Sequence, residues 1–327
     1  MILYCYGTRP EYIKIKKLIS LSKDIDYKVL FVGQHTDLIF GEYDYILKVT
    51  DGKNRLNSII SSVIDSFSNI EKLPNYVLVQ GDTASAFAIA IAAKNHKIKV
   101  IHLEAGLRTY DYENPYPEEM YRQLISRVAD IHLCPTEKNK ENLLNEKVQG
   151  DIYVVGNTVL DNLDKQNIEY SNIIPITLHR RENHDEIETW FREIDTLAKN
   201  NEDLKFILPI HPNPNVNKFK DILKYVEVVP PMNHDEFIKI LKKCKFIISD
   251  SGGIQEEASF LNKKVIVCRK ITERTESLGK SSFLCGEPKK LQSIFNEVNN
   301  DYILNYTSPY GDGKSSERII EILKNYI

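Results

Sequence analysis

The feature that most constrains this chain is an alternation of short apolar runs with helical stretches, which restarts halfway along. In the first half the runs fall at residues 2–6, 28–32, 76–80, 99–103, 131–134 and 152–155. Runs of this length, apolar throughout rather than at every second residue, read as strands buried on both faces. The stretches between them carry helical spacing, as at Tyr12, Ile15, Leu18 and Ile19 after Pro10, a residue favoured at a helix start. Residues 84–93 are almost wholly apolar and rich in Ala, which reads as a buried crossover helix. After about residue 166 the pattern begins again, with strands at 173–178, 205–210, 226–229, 246–249, 264–268 and 283–285. Helical stretches follow at 187–199, 235–242 and 254–261, and the polar segment 164–172 reads as a linker. Strand, helix, strand in alternation implies a parallel sheet covered on both faces. The expectation is an α/β protein of two doubly wound, Rossmann-like domains, 1–165 and 166–310, with a cleft between them. A last helix, within 311–327, is expected to pack back on the first domain.

At 327 residues the chain is long enough for two domains of ordinary size. A net charge of −3 gives no basic surplus of the kind a nucleic-acid binder shows. No apolar run approaches the length that spans a bilayer. The N-terminus is apolar only as far as Tyr6 and then enters Gly7-Thr-Arg-Pro, which reads as a first strand rather than a signal peptide. The cysteines Cys5, Cys134, Cys244, Cys268 and Cys285 are scattered and form no CxxC pair. They read as buried free thiols of a reducing, cytoplasmic compartment.

In doubly wound sheets, ligands collect at the carboxyl ends of the strands. The unusual residues of this sequence fall there repeatedly. The first strand is followed by Gly7-Thr-Arg-Pro-Glu11, with Arg9 at a helix start, a position suited to an anion. The run at 76–80 is followed by Gly81-Asp82-Thr83, where Asp82 taken alone reads best as a helix N-cap. The run at 99–103 is followed by an acidic stretch from Glu104 to Glu119, broken by Gly106, Pro115 and Pro117. A solvated loop accounts for Asp111 and Glu113, but not for Glu104, which sits directly against the apolar run. In the second half the strand ends carry His179-Arg-Arg-Glu-Asn183, His211-Pro-Asn-Pro and Asp250-Ser-Gly-Gly-Ile-Gln-Glu-Glu257. Ser251, Gly252 and Gly253 before a helix suit a diphosphate, with Glu257 placed for ribose hydroxyls; a compact strand-to-helix turn is the plainer alternative. The GxGxxG and Walker A sequences are absent, so a nicotinamide cofactor and ATP hydrolysis have no support. Carboxylates and an imidazole beside an anion site suit proton transfer coupled to departure of a leaving group.

These stretches, together with Glu104-Ala-Gly-Leu-Arg-Thr109, Pro117-Glu-Glu119, Gly156-Asn-Thr158, Thr272-Glu-Arg274 and Pro309-Tyr-Gly-Asp-Gly313, resemble the non-hydrolysing UDP-N-acetylglucosamine 2-epimerases. They occur in the family's order and cover nearly the whole chain. The resemblance implies a glycosyltransferase-B-like architecture and inversion at C2 of a UDP-linked 2-acetamido sugar, giving UDP-N-acetylmannosamine from the gluco isomer. The implied route is anti elimination of UDP to a 2-acetamidoglucal, followed by re-addition with protonation on the other face. The implied catalytic candidates are Asp82, Glu104, Glu118 and His211. The implied substrate-binding residues are Arg9, Lys14, Arg122, His179, Phe237, Ser251, Gly252, Gly253, Glu257 and Arg274. The partner implied is a UDP-N-acetylhexosamine, with no metal or redox cofactor, and the family precedent is a homodimer. Relatives act on UDP-linked 6-deoxy-L-hexosamines and diacetamido uronic acids, and a retaining UDP-sugar glycosyltransferase shares the architecture. The chain departs from the family pattern at Ala84-Ser85, at Tyr121 where Asn is usual, and in the short segment after Gln34-His35. Bacterial members bind a second substrate molecule as an activator near that segment.

Overall fold

The strands of the first half form one parallel sheet. They are β1 (Ile2–Tyr6), β2 (Tyr27–Gly33), β3 (Tyr45–Lys48), β4 (Tyr76–Gln80), β5 (Lys99–Leu103), β6 (Ile131–Cys134) and β7 (Asp151–Val154), in the order β3-β2-β1-β4-β5-β6-β7. The structure, a computed structural model, describes residues 1–33 and 41–327. The segment directly after Gln34-His35, to residue 40, lies outside the described residues. The short edge strand β3 is an addition to the elements expected from the alternation.

A second parallel sheet, in the order β10-β9-β8-β11-β12-β13, takes the strands of the second half. These are β8 (Ile173–Thr177), β9 (Lys205–Pro209), β10 (Glu227–Val229), β11 (Ile247–Ser249), β12 (Val265–Val267) and β13 (Ser282–Leu284). The chain divides into two compact units, one of Met1–Leu163 with Gly311–Ile327 and one of Asp164–Tyr310.

In the first unit the helices are α1 (Arg9–Leu21), α2 (Arg55–Phe67), α3 (Ala84–Asn95), α4 (Glu118–Val128) and α5 (Glu137–Asn145). The second unit carries α6 (Ile187–Asn200), the single-turn α7 (Pro214–Asn217), α8 (His234–Lys243), α9 (Gly252–Phe260) and α10 (Leu291–Asn300). The last helix, α11 (Ser315–Leu323), belongs to the first unit. Helix α3 packs between α2 and α4. Its alanines let the backbones approach closely, and Ala86, Ala88, Ala90 and Ala93 are buried with Val77 and Val79 of β4. On the other face Ile15 and Leu18 of α1 share a core with Ile319, Ile320 and Leu323 of α11. Each such fully buried Ile or Leu contributes roughly 1.5–3 kcal/mol. The start of α11 is capped from outside, since the Asp161 carboxylate accepts the N–H groups of Ser315 (2.9 Å) and Ser316 (2.5 Å). All five cysteines are buried and free. No helix among the described residues is long and apolar enough to cross a membrane.

Strand order positions the candidate residues. In the first sheet β1 is flanked by β2 and β4, so the chain winds outward in both directions from there. A crevice opens at such a switch point because successive helices leave on opposite faces. The loops Gly7–Glu11 and Gly81–Thr83 follow the two strands that border it. The second sheet has its switch between β8 and β11, and the loops starting at Leu178 and Asp250 follow those strands.

Candidate functional site

In the first unit, the ends of β4 and β5 are stitched together residue by residue. Gly81, at φ +70°, donates its N–H to the Leu103 carbonyl at 2.9 Å. His102 Nε2 donates to the Gly81 carbonyl at 2.8 Å. Burial brings the His102 pKa down to about 3, so the ring is neutral and its Nε2 proton serves this bond. Asp82 and Glu104 follow these contacts directly.

Glu104 takes a left-handed backbone, φ +66°, and is 6% exposed. A side chain at that φ costs about 1 kcal/mol, and such strain is held where the surroundings fix it. Here Lys14 Nζ and Gln80 Nε2 both donate to Glu104 Oε2, and Asn157 Nδ2 donates to Oε1 at 3.3 Å. Asp82 is ion-paired with the buried Arg122 of α4, which also stands 3.4 Å from Glu119. The helix cap of α3 is Thr83, whose hydroxyl accepts the Ala86 N–H at 3.1 Å, so Asp82 is not the cap that its position suggested. Glu118 opens α4 one turn before Arg122, which puts both on one face of the helix.

Glu11 ties the two crevice loops together. Its carboxylate accepts the Gly7 N–H at 3.0 Å and the Thr83 hydroxyl at 2.7 Å. Burial pushes its pKa up, and these hydrogen bonds oppose the shift. Arg9, the first residue of α1, is exposed. The acidic stretch divides as burial dictates. Glu119 is fully buried and accepts the N–H groups of Thr109 (3.0 Å) and Tyr110 (3.1 Å), while Glu113 is exposed. Tyr121 is buried in the core and stacks on Phe87, with ring centroids 5.3 Å apart.

In the second unit the loops converge on Asp250, which is fully buried. Its Oδ2 accepts the backbone N–H groups of His179 (2.9 Å) and Arg180 (2.8 Å) and the Asn183 amide (3.1 Å). The His179 ring stacks on His211 with centroids 5.1 Å apart and planes 11° apart. His211 Nδ1 accepts the Asn213 N–H at 3.1 Å. Burial lowers the pKa of His179 against the opposing pull of Asp250; burial and the neighbouring His179 lower that of His211.

Helix α9 starts at Gly252, and its N-cap Ser251 makes no side-chain capping bond. The first N–H groups of a helix lack intrahelical partners and carry the positive end of its dipole, so they suit an anion. A Cβ at Gly252 would lie 2.5 Å from Arg274 Nη1, so only glycine admits the guanidinium there. At Gly253 a Cβ would meet nothing within 4 Å. Arg274 is buried and held by Glu273 and by Glu256, whose Oε1 accepts from Nε at 2.7 Å. Glu257 pairs with His234 Nε2 at 2.7 Å. Phe237 lies one turn beyond His234 on α8 and is 9% exposed.

The structure thus gathers Lys14, Asp82, Glu104, Glu118 and Arg122 in the first unit. It gathers His179, His211, Ser251, Gly252, Gly253 and Arg274 in the second, with Phe237 and Glu257 around His234. Glu11, Gln80, His234 and Asp250 hold these groups, and sequence reasoning gave them no role. Asp250 had a signal, an acidic residue ending an apolar run just as Glu104 does. No group of three or more His, Cys, Asp or Glu among the described residues is arranged to hold a metal ion.

Comparison with known proteins agrees over the whole chain. The family model described as UDP-N-acetylglucosamine 2-epimerase matches residues 18–324. A UDP-N-acetylglucosamine 2-epimerase of Campylobacter jejuni is 36% identical over 375 aligned positions, covering 98% of this chain and 97% of that protein. The Neisseria meningitidis UDP-GlcNAc 2-epimerase, solved bound to UDP-GlcNAc, superposes with a TM-score of 0.89 at 34% identity over 99% of both chains. An S. aureus protein solved with UDP superposes with a TM-score of 0.87 at 32% identity, covering 99% of this chain and 96% of that one.

Proposed function

The chain belongs to the UDP-N-acetylglucosamine 2-epimerase family, and from that premise we propose that it interconverts UDP-N-acetylglucosamine and UDP-N-acetylmannosamine. The C2–H of such a sugar is too weakly acidic for simple abstraction. Its removal becomes feasible when the C1–O bond breaks in the same process. The C–H electrons form the C1=C2 bond of a 2-acetamidoglucal while UDP departs with the C1–O electrons. Re-addition of UDP at C1, with a proton delivered to the other face of C2, gives the epimer. The scheme needs acid/base groups for both faces of C2 and firm retention of UDP.

The observation that carries this reading is the pair of carboxylates on adjacent strand ends, Glu104 beside Lys14 and Asp82 beside Arg122. Each carboxylate has a cation as its partner, and the two stand where strands β4 and β5 end side by side. Glu118 and His211 are the remaining proton-transfer candidates. UDP is assigned to the N–H groups and hydroxyl at Ser251, Gly252 and Gly253, with Glu257 for the ribose and His179, Phe237 and Arg274 around them. Arg9, Lys14 and Arg122 are the first unit's cations for the substrate. The UDP and UDP-GlcNAc held by the two solved relatives support this choice of ligand.

The test is proton NMR of UDP-N-acetylglucosamine incubated with the protein in deuterium oxide. The expected result is deuterium at C2 and growth of the manno isomer with no acceptor present. A retaining glycosyltransferase would leave C2–H unexchanged, and that outcome would sink the proposal. A second prediction concerns Gly252→Ala. The new Cβ displaces the Arg274 guanidinium, and calorimetric titration with UDP is expected to show at least a tenfold weaker Kd, about 1.4 kcal/mol. An unchanged Kd would remove Gly252 and Arg274 from the nucleotide site.

A further inference from the structure

None of the assignments above uses Asp250, although it lies at the end of β11 and is fully buried. A buried carboxylate persists only where hydrogen bonds replace its hydration. The three N–H groups on Oδ2 come from one loop, Leu178–Asn183, which they fix at its start and its end. Oδ1 makes no hydrogen bond among the described residues and stands 3.6 Å from His179 Nδ1, so the backbone of His179 is bonded to this carboxylate and its ring faces it at ion-pair range. The His179 ring lies parallel to that of His211, and the Asn213 N–H occupies His211 Nδ1. His211 is therefore held on one face by His179 and along one edge by Asn213. With Nδ1 acting as acceptor, the neutral ring carries its proton on Nε2.

We propose that Asp250 is a positioning residue for His211, acting through the stacked His179 ring and, together with the Asn213 N–H on Nδ1, presenting His211 as an Nε2–H donor. The proposal rests on the reading in which His211 takes part in the reaction. Among the proton-transfer candidates this narrows His211 to a donor: a neutral ring with its proton on Nε2 gives that hydrogen bond to an anionic oxygen of the substrate, and the C2 proton is left to the carboxylates.

The charged and titratable groups that act on His179 are Asp250, Arg180 and His184; those that act on His211 are His179, Asp250 and His184. His184 is itself tied in, its Nε2 donating to the His179 carbonyl at 3.2 Å. Burial opposes the protonated form of both rings and Asp250 favours it; His184 opposes it at both, Arg180 at His179 and His179 at His211. Removing the Asp250 charge therefore lowers the pH at which His211 gains a second proton.

The experiment compares Asp250→Asn and His211→Asn with the unaltered full chain, following epimerisation across pH. For Asp250→Asn, kcat is expected to fall at least tenfold with KM within threefold. The acid limb of its kcat profile is expected to move down by about one pH unit. A wild-type rate and profile, or a loss equal at every pH, would overturn the proposal, because a purely structural role leaves the profile in place. A His211→Asn variant with wild-type kcat would overturn the underlying reading and the proposal with it. A slow His211→Asn beside an unaffected Asp250→Asn would overturn the proposal alone. A measurement independent of any substitution is nitrogen-15 NMR of the histidine-labelled full chain. It is expected to show His211 as the Nε2–H tautomer; an Nδ1–H tautomer would overturn the proposal even if Asp250→Asn fails to fold.

Discussion

Glu104→Gln is expected to reduce epimerisation about a thousandfold or more, with UDP still bound at close to the original affinity. The substitution keeps the shape of the side chain and the left-handed backbone. It removes the charge facing Lys14 and the capacity to take a proton. The Gln80 amide retains an oxygen to bond. Lys14 keeps a dipole in place of a carboxylate, so the loss falls on proton transfer rather than on the fold. Two measurements separate the outcomes: C2–H exchange in deuterium oxide for the chemistry, and calorimetry with UDP for binding. Exchange within tenfold of wild type would exclude Glu104 from proton transfer. Equal losses of exchange and UDP affinity would make it a binding residue instead.

Gly106→Ala is expected to produce the largest loss of stability. Gly106 adopts φ +88°, and an added Cβ would lie 2.2 Å from the Asn139 carbonyl oxygen and 2.8 Å from its carbon. The obstacle is the backbone of α5, which cannot turn aside as a flexible side chain can. The Asn142 amide also bonds the Gly106 carbonyl at 2.9 Å, which fixes the loop against the same helix. Left-handed strain plus this overlap costs roughly 3–5 kcal/mol. For a unit of this size that lowers the melting temperature by about 10 °C. Thermal unfolding followed by circular dichroism reads the result, and a shift under about 2 °C would mean that the loop relaxes freely. Glu104 stands two residues earlier, so a protein that survives the change is expected to lose activity as well.

What could be read in the sequence was local. An unbroken apolar run identifies a buried parallel strand, and β1, β4, β5 and β6 begin and end where their runs do. Strand β3 has no such run. It is a four-residue edge strand in which only Leu47 is buried, so burial left little mark on its composition. Candidate site residues were visible because charged residues against apolar runs are costly without a partner, but the partners are non-local. Lys14 meets Glu104 across ninety positions, and Arg122 meets Asp82 across forty. No spacing rule reaches that far. Asp82 shows the hazard of a local rule: it stands where an N-cap belongs, yet Thr83 takes that place and leaves the carboxylate to Arg122. Tyr121 departs from the family pattern, and its ring belongs to the core between α3 and α4.

The chain leaves its first unit at Leu163 and returns to it at Gly311. During synthesis the second unit therefore emerges whole while the first still lacks α11. Until that helix arrives, Ile15 and Leu18 on α1 have no cover from Ile319, Ile320 and Leu323. Because α1 also carries Lys14, the partner of Glu104, the helix whose apolar face waits for cover is one that reaches the candidate site. The unit translated first is thus the one completed last.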